Sequence, residues 1–257
     1  MEPPLHSIPK IISGLDDITE GSLQSICDLY SQVFENVVTV SKPEVAEMTK
    51  LYENCQRMMC IAYVNEMADA CESHDIDPYE VCHAAATKPF GYQSFMPGSG
   101  VGGHCIPVNP YYLLANSEFP LLRAATERMW DRPARLADKA MKSLRRDSGS
   151  GQSRFQDRPR VLVVGVGFKA GQSVLSGSPG VAVLTRLLEE YNVEAVFADP
   201  LVEESAIPFA PKLDEQTQWN RESLQQFDLI IVTMRQAGLD FSVLEHLPGV
   251  QIKWNCA

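Results

Sequence analysis

The residues best suited to chemistry cluster in one segment, Phe95-Met96-Pro97-Gly98-Ser99-Gly100-Val101-Gly102-Gly103-His104-Cys105-Ile106-Pro107-Val108-Asn109-Pro110. Four glycines within six residues let the main chain pass close to a ligand and turn its N–H groups inward, a cradle for anionic oxygens. A cysteine that ends such a loop just before a helix can have its thiolate stabilised by backbone donors and by the helix N-terminus. An isolated Gly-Gly-x-Cys is more often a buried cysteine in a tight turn. Here, however, residues 88–110 are rich in Gly and Pro throughout, and a long irregular loop inside a compact domain is usually functional. Lys50 and Asn54 form a second pair. Four residues apart in a helical pattern, they project from one face. A lysine there can polarise an oxygen, and an amide can hold a water or an oxyanion. On spacing alone, Lys50 reads as an ordinary solvated helix residue.

The elements around these residues follow from periodicity. Residues 8–14 form a short apolar run closed by glycine, Ser22 to Phe34 carries helical spacing, and Val37 to Val40 is β-branched throughout. Ser41-Lys42-Pro43-Glu44 is a helix start with an N-cap, an early proline and a capping glutamate. Apolar positions at Val45, Met48, Tyr52, Cys55, Met59, Tyr63 and Met67 extend that helix to about residue 73. Asp77-Pro78 with Glu80 opens another, and helices resume from Tyr111 to Leu144. Residues 145–160, polar with Gly and Ser between charges, read as a linker. Beyond it strands at 161–164, 194–197, 229–233 and 251–254 alternate with helices at 179–191 and 222–226, the pattern of a doubly wound parallel sheet. The expected class is α/β. Residues 1–40 are the end of one domain, 41–144 a central all-helical domain with the cysteine loop, and 161–257 a Rossmann-like α/β domain.

Composition narrows the partners. Hydrophobic residues make up 45% and charged residues 21%, an ordinary globular balance. A formal net charge of -11 argues against a protein that tracks nucleic-acid phosphates. It leaves room for a nucleotide ligand, which needs only a few placed cations and backbone donors. Without an apolar run near the roughly 18 residues of a membrane span, and without signal-peptide features at the start, no membrane partner is expected. Seven cysteines, an odd number with no C-x-x-C pair, point to a reduced, cytoplasmic protein. No metal site is expected.

The cysteine segment closely resembles the cysteine loop of the UDP-glucose/GDP-mannose dehydrogenase family, above all the branch acting on UDP-N-acetylhexosamines. The resemblance runs along nearly the whole chain. Residues 8–14 resemble the end of the family's NAD domain, Pro43 to Asn54 the start of its central helical domain, and Val161 to Pro179 the start of its nucleotide-sugar domain. It implies a twofold oxidation of a sugar C6 alcohol by NAD, in which a cysteine adds to the C6 aldehyde and the resulting thiohemiacetal is oxidised to a thioester that water cleaves. Cys105 matches that nucleophile, Lys50 and Asn54 the family's catalytic Lys and Asn. Phe95, Gly98, Gly100, Gly102, Gly103 and His104 match its substrate loop. Phe168 and Lys169 fall in its UDP-sugar motif, with Lys169 at a phosphate-contacting position. The central helix resembles the family's dimer-forming helix, which implies a homodimer.

Three departures set this sequence apart. There is no N-terminal G-x-G-x-x-G turn between strand and helix to cradle an NAD pyrophosphate, and Gly165-Val166-Gly167-Phe168-Lys169-Ala170-Gly171 has the wrong spacing to replace it. The family's catalytic aspartate four residues after the cysteine is Asn109, which cannot take up a proton. In the loop before Ser178-Pro179, the family's acidic pair falls at Ser173 and Val174 and its arginine at Ser176. Losing a forked guanidinium there costs anion recognition about 2 kcal/mol. The expectation is a redox-neutral enzyme, a cyclase or isomerase of a less anionic small molecule in a biosynthetic pathway, needing no cofactor of its own. The alternatives are a UDP-sugar dehydrogenase half that uses NAD only when a separate NAD domain supplies it, and a non-catalytic binding or scaffold dimer.

Overall fold

A computed structural model describes residues 3–148 and 158–256, and for 145–148 the backbone alone. The chain divides into two compact units, Met1–Gln56 and Arg57–Ala257.

The first unit is built on a single β-α-β crossover. Strand β1 (Lys10–Ile12) pairs in parallel with β2 (Val37–Thr39), Lys10 opposite Val37, and helix α1 (Ser22–Tyr30) connects them. Glycine is required at Gly14, because a Cβ there would lie 2.4 Å from the Leu23 nitrogen. The Asp16 carboxylate accepts the Ser22 hydroxyl (3.0 Å) and the Leu23 N–H (3.2 Å), which satisfies donors at the start of α1. Ile12 is buried, but Ile11, Val38, Ile18, Leu29 and Val33 stay exposed. Two strands alone cannot cover their own apolar faces. Helix α2 then begins at Pro43 and continues to Glu72, about 45 Å at 1.5 Å per residue.

The second unit joins helices to a parallel sheet. Helix α3 (Pro78–Ala86) is capped by Asp77, whose carboxylate accepts the Tyr79 N–H at 2.9 Å. The helical stretch expected from Tyr111 to Leu144 is two helices. Helix α4 (Asn109–Asn116) ends where Ser117 turns extended, and α5 (Pro120–Ser148) restarts at a proline, a residue suited to a first turn. The stretch expected as a linker, 145–160, narrows at both ends. Residues 145–148 continue α5 and Arg160 begins the next strand, while 149–157 lie outside the described residues. Charge alone misled there, because arginine extends a helix readily.

Strands β3 (Arg160–Val164), β4 (Glu194–Ala198), β5 (Leu229–Val232) and β6 (Gln251–Trp254) form one parallel sheet in the order β4-β3-β5-β6. Both faces are covered, so the central strands are continuously apolar rather than alternating. Val161, Val163, Phe197, Leu229 and Ile231 pack with α6 (Pro179–Glu190) and with Ala137, Ala140, Met141 and Leu144 of α5. Leu162, Val164, Val196, Ile230 and Val232 face Leu224, Phe227 and Leu244 on the other side. The short helices Glu215–Gln218 (α7) and Arg221–Leu224 (α8) lie between β4 and β5, where the sequence signalled one helix at 222–226. A polar staple ties α5 to α6. Arg186 donates Nε and Nη2 to the two Asp138 oxygens at 3.0 and 3.1 Å, and the Tyr191 hydroxyl donates to the same carboxylate at 2.9 Å. The Arg186 and Tyr191 hydrogen bonds hold the Asp138 carboxyl below its ordinary pKa, against the opposing pull of burial.

Candidate active site

The cysteine loop lies across the carboxyl edge of the sheet, where open parallel sheets present their ligand crevices. Its first half is fixed by buried polar groups. The Gly98 N–H donates to the side-chain oxygen of the fully buried Asn65 at 2.9 Å, and Arg132 donates Nε to the Gly98 carbonyl at 2.8 Å. Arg132 also forks onto both Asp69 oxygens at 3.0 Å, and Arg135 adds a third contact at 2.9 Å. The buried Ser99 hydroxyl donates to the Thr233 carbonyl at 3.1 Å, just past the end of β5. Gly100, at φ +147°, is flanked by Pro133 inside α5 and Pro179 at the start of α6, each 3.4 Å from a would-be Cβ. Pro133 has no N–H to give the Met129 carbonyl, so the helix wall beside the loop keeps an acceptor exposed to it.

The second half is docked on the loop that follows β3. The Gly103 N–H donates to the Ser176 carbonyl at 2.8 Å. A Cβ on Gly102 would meet Phe168 at 2.9 Å and the Gly177 carbonyl at 3.0 Å; one on Gly103, at φ +90°, would strike the Phe168 ring at 2.9 Å. This corrects the reading of the glycines as amides turned toward a ligand. At Gly98 and Gly103 the amides are engaged by Asn65 and Ser176, and the need for glycine is first a need for close packing. Cys105 itself is exposed, as is His104. The Cys105 carbonyl accepts the N–H groups of Val108 (3.2 Å) and Asn109 (2.9 Å), the turn that starts α4. Asn109 is therefore the first residue of that helix, one turn beyond the thiol. Phe95 is half-buried farther back along the loop.

The loop after β3 is held from within the domain. Gly165 has φ +80° and lies so near Met234 that a Cβ would be 2.2 Å from its carbonyl oxygen. Asp199, fully buried at the end of β4, accepts the Gly167 N–H at 3.0 Å, and Gln236 accepts the Gly171 N–H at 2.7 Å. The Phe168 N–H donates to the Val174 carbonyl at 2.9 Å, and Lys169 and Val174 are exposed. This arrangement does not fit a dinucleotide pyrophosphate. Its glycine amides are bound by Asp199 and Gln236, and the helix opens only at Pro179, too far along for its N-terminus to serve a glycine turn at Gly165.

Gly98, Gly100, Gly102, Gly103, Phe168 and Ser176 thus come together in the second unit, with Cys105 at the end of the same loop. Lys50 and Asn54 belong to the first unit and share a face of α2; Lys50 is exposed and pairs with Glu53 at 3.5 Å, while Asn54 is buried. Sequence reasoning missed Asn65, Asp69, Arg132, Asp199 and Gln236. Asn65 did leave a trace, a lone amide inside the apolar run Ile61-Ala62-Tyr63-Val64 and Met67. Behind Gly98 lies a cavity of about 720 Å³ walled by Tyr79, Arg132, Lys139, Lys253 and Trp254. Burial there pushes the Tyr79 phenol up to about 12. Among the described residues no three His, Cys, Asp or Glu side chains could hold a metal, and no helix is long and apolar enough to cross a membrane.

A thiol loop seated on the carboxyl edge of a parallel sheet and helices leading into that sheet are the parts of a fold that the comparisons with known proteins place in a family. Residues 44–128 match the central domain of the UDP-glucose/GDP-mannose dehydrogenase family, and the chain belongs to that family. It is 32% identical over 201 residues to the UDP-N-acetyl-D-glucosamine 6-dehydrogenase of Pseudomonas aeruginosa, covering 74% of this chain and 46% of that protein. It is 25% identical over 228 residues to the UDP-N-acetyl-D-mannosamine dehydrogenase of Campylobacter jejuni, covering 88% of this chain and 53% of that one. In fold it is similar to the UDP-D-ManNAc dehydrogenase of Pyrococcus horikoshii, with a TM-score of 0.79 at 22% identity over 97% of this chain and 60% of that structure. The chain spans about half the length of the curated relatives it matches.

Proposed function

We propose that this chain carries the thiol and nucleotide-sugar part of a UDP-N-acetylhexosamine 6-dehydrogenase, with Cys105 as nucleophile and Lys169 as a phosphate-binding cation. The observation that carries this reading is the exposed thiol at the end of a loop whose other residues are fixed by packing and hydrogen bonds at the sheet's carboxyl edge. Dehydrogenases among its relatives support it. The Cys105 thiolate adds to a C6 aldehyde, forming a C–S bond while the carbonyl electron pair moves to oxygen and takes a proton. Lys50 and Asn54 are the residues proposed to stabilise that oxygen. The loop after β3 does not fit a dinucleotide, so no oxidation step is assigned to these residues. NAD enters only with a dinucleotide-binding domain. The exposed apolar side chains of the β1-α1-β2 unit favour such a neighbour, since they offer it an apolar surface to cover.

A second reading rests on different residues. Asn109 cannot act as a base, and Ser173, Val174 and Ser176 leave the loop less charged, which favours a redox-neutral cyclisation or isomerisation of a less anionic small molecule. The two readings separate by ligand binding. Under the first, millimolar UDP-N-acetylglucosamine raises the unfolding temperature by several degrees, as a ligand at about 100 times its Kd adds roughly 2.7 kcal/mol. NAD at the same concentration leaves it unchanged. No shift with the UDP-sugar sinks the first reading and leaves the second.

In either case the proposed assembly is a homodimer through α2. Val45, Met48 and Tyr52 near its start and Tyr63 and Met67 farther along stand exposed at helical spacing. Light scattering is expected to give twice the chain mass, and Tyr63→Glu to halve it. A wild-type mass of one chain would refute the dimer.

A further inference from the structure

Gln236 is the least expected buried side chain of the second unit, 2% exposed and beyond the end of β5. Its amide is used on both sides. The oxygen accepts the Gly171 N–H at 2.7 Å, and the nitrogen donates to the Gln172 carbonyl and to Asp199 Oδ2, each at 3.2 Å. The same Asp199 oxygen accepts the Gly167 N–H at 3.0 Å, while Oδ1 accepts the Leu201 N–H at 3.1 Å. Residues 167 and 171 are thereby tied to the ends of β4 and β5. Phe168 lies between these ties, and its ring rests where a Cβ of Gly103 would be. Gly103 in turn is hydrogen-bonded to Ser176 and stands two residues before Cys105.

We infer that Gln236 is a positioning residue for Cys105, acting through Asp199, the 167–172 loop and Phe168 to fix the end of the cysteine loop. This goes beyond the proposed function, since it concerns how the thiol is presented and holds whichever ligand the site takes. Only a side chain with both an acceptor and a donor fits position 236. An apolar one takes away the acceptor of the Gly171 N–H and the donor shared by the Gln172 carbonyl and Asp199, which keeps only the Gly167 and Leu201 N–H groups. A carboxylate sets two buried acceptors against each other at 3.2 Å. The other ionisable groups beside the pair are Glu215, which accepts the Asp199 N–H at 2.7 Å, and Lys212, paired with Glu215 at 3.3 Å.

The test is amide hydrogen exchange of the peptide spanning 98–105, read as the ratio of variant to wild-type rate from pH 5 to 8.5. With Gln236→Met the ratio is expected to exceed about five at every pH. With Gln236→Glu it is expected to stay near one while the new carboxyl keeps its proton, because the acid form still donates to Asp199 and accepts from Gly171. It then rises severalfold as pH increases and that proton is lost. Peptides from α5 between 120 and 131 stay at a ratio near one throughout. A ratio near one for the 98–105 peptide in both variants overturns the inference. So does an equal rise in the α5 peptides, which means Gln236 only supports the fold.

Discussion

Gly165→Ala is expected to cost about 3 kcal/mol or more, a large share of the margin of a domain stable by roughly 5 to 15 kcal/mol. Two costs add. The backbone at φ +80° is strained for any residue with a Cβ, by about 1–2 kcal/mol. The new methyl would also lie 2.2 Å from the Met234 carbonyl oxygen, a backbone atom that cannot rotate away. Relief requires β3 and the segment after β5 to separate, and that same junction supports Ser99 and Thr233 under the cysteine loop. Gly171 supplies the control. It has φ +77° but open space around its Cβ position, so Gly171→Ala is expected to cost only the strain of about 1–2 kcal/mol. Urea unfolding of the two variants checks this. Equal midpoints contradict the role given to the Gly165 junction.

Much of the architecture was legible because its physics is local. The β-branched apolar run at Val161 to Val164, closed by Gly165, reads as a strand buried on both faces, and Asp77-Pro78 is a helix start by capping chemistry. The thiol loop stood out through its glycines and prolines. What the glycines do was not legible. Gly102 and Gly103 are shaped by Phe168, more than sixty residues away in sequence, and no local pattern encodes that contact. Arg132 and Gln236 were invisible for the same reason. A polar residue in a helix or past a strand reads as solvated until burial shows what it must satisfy. The break at Ser117 and the run of α5 to Ser148 were not legible either, because the extended backbone at Ser117 has no glycine or proline of its own to mark it and the charges at 145–148 suit a helix as well as a linker.

If the exposed Cys105 thiol stands in a nucleotide-sugar site, as proposed, occupancy of that site must shield it. Alkylation rates at Cys105 by iodoacetamide, measured by peptide mass spectrometry, report this directly, with the half-buried Cys27 of the first unit as internal reference. Saturating UDP-N-acetylglucosamine is expected to slow Cys105 alkylation tenfold or more, since a ligand that covers the thiol leaves only the unbound fraction reactive. The Cys27 rate is expected to stay constant, and NAD to leave both unchanged. The account is contradicted if Cys105 reacts at the same rate with the UDP-sugar bound as without it.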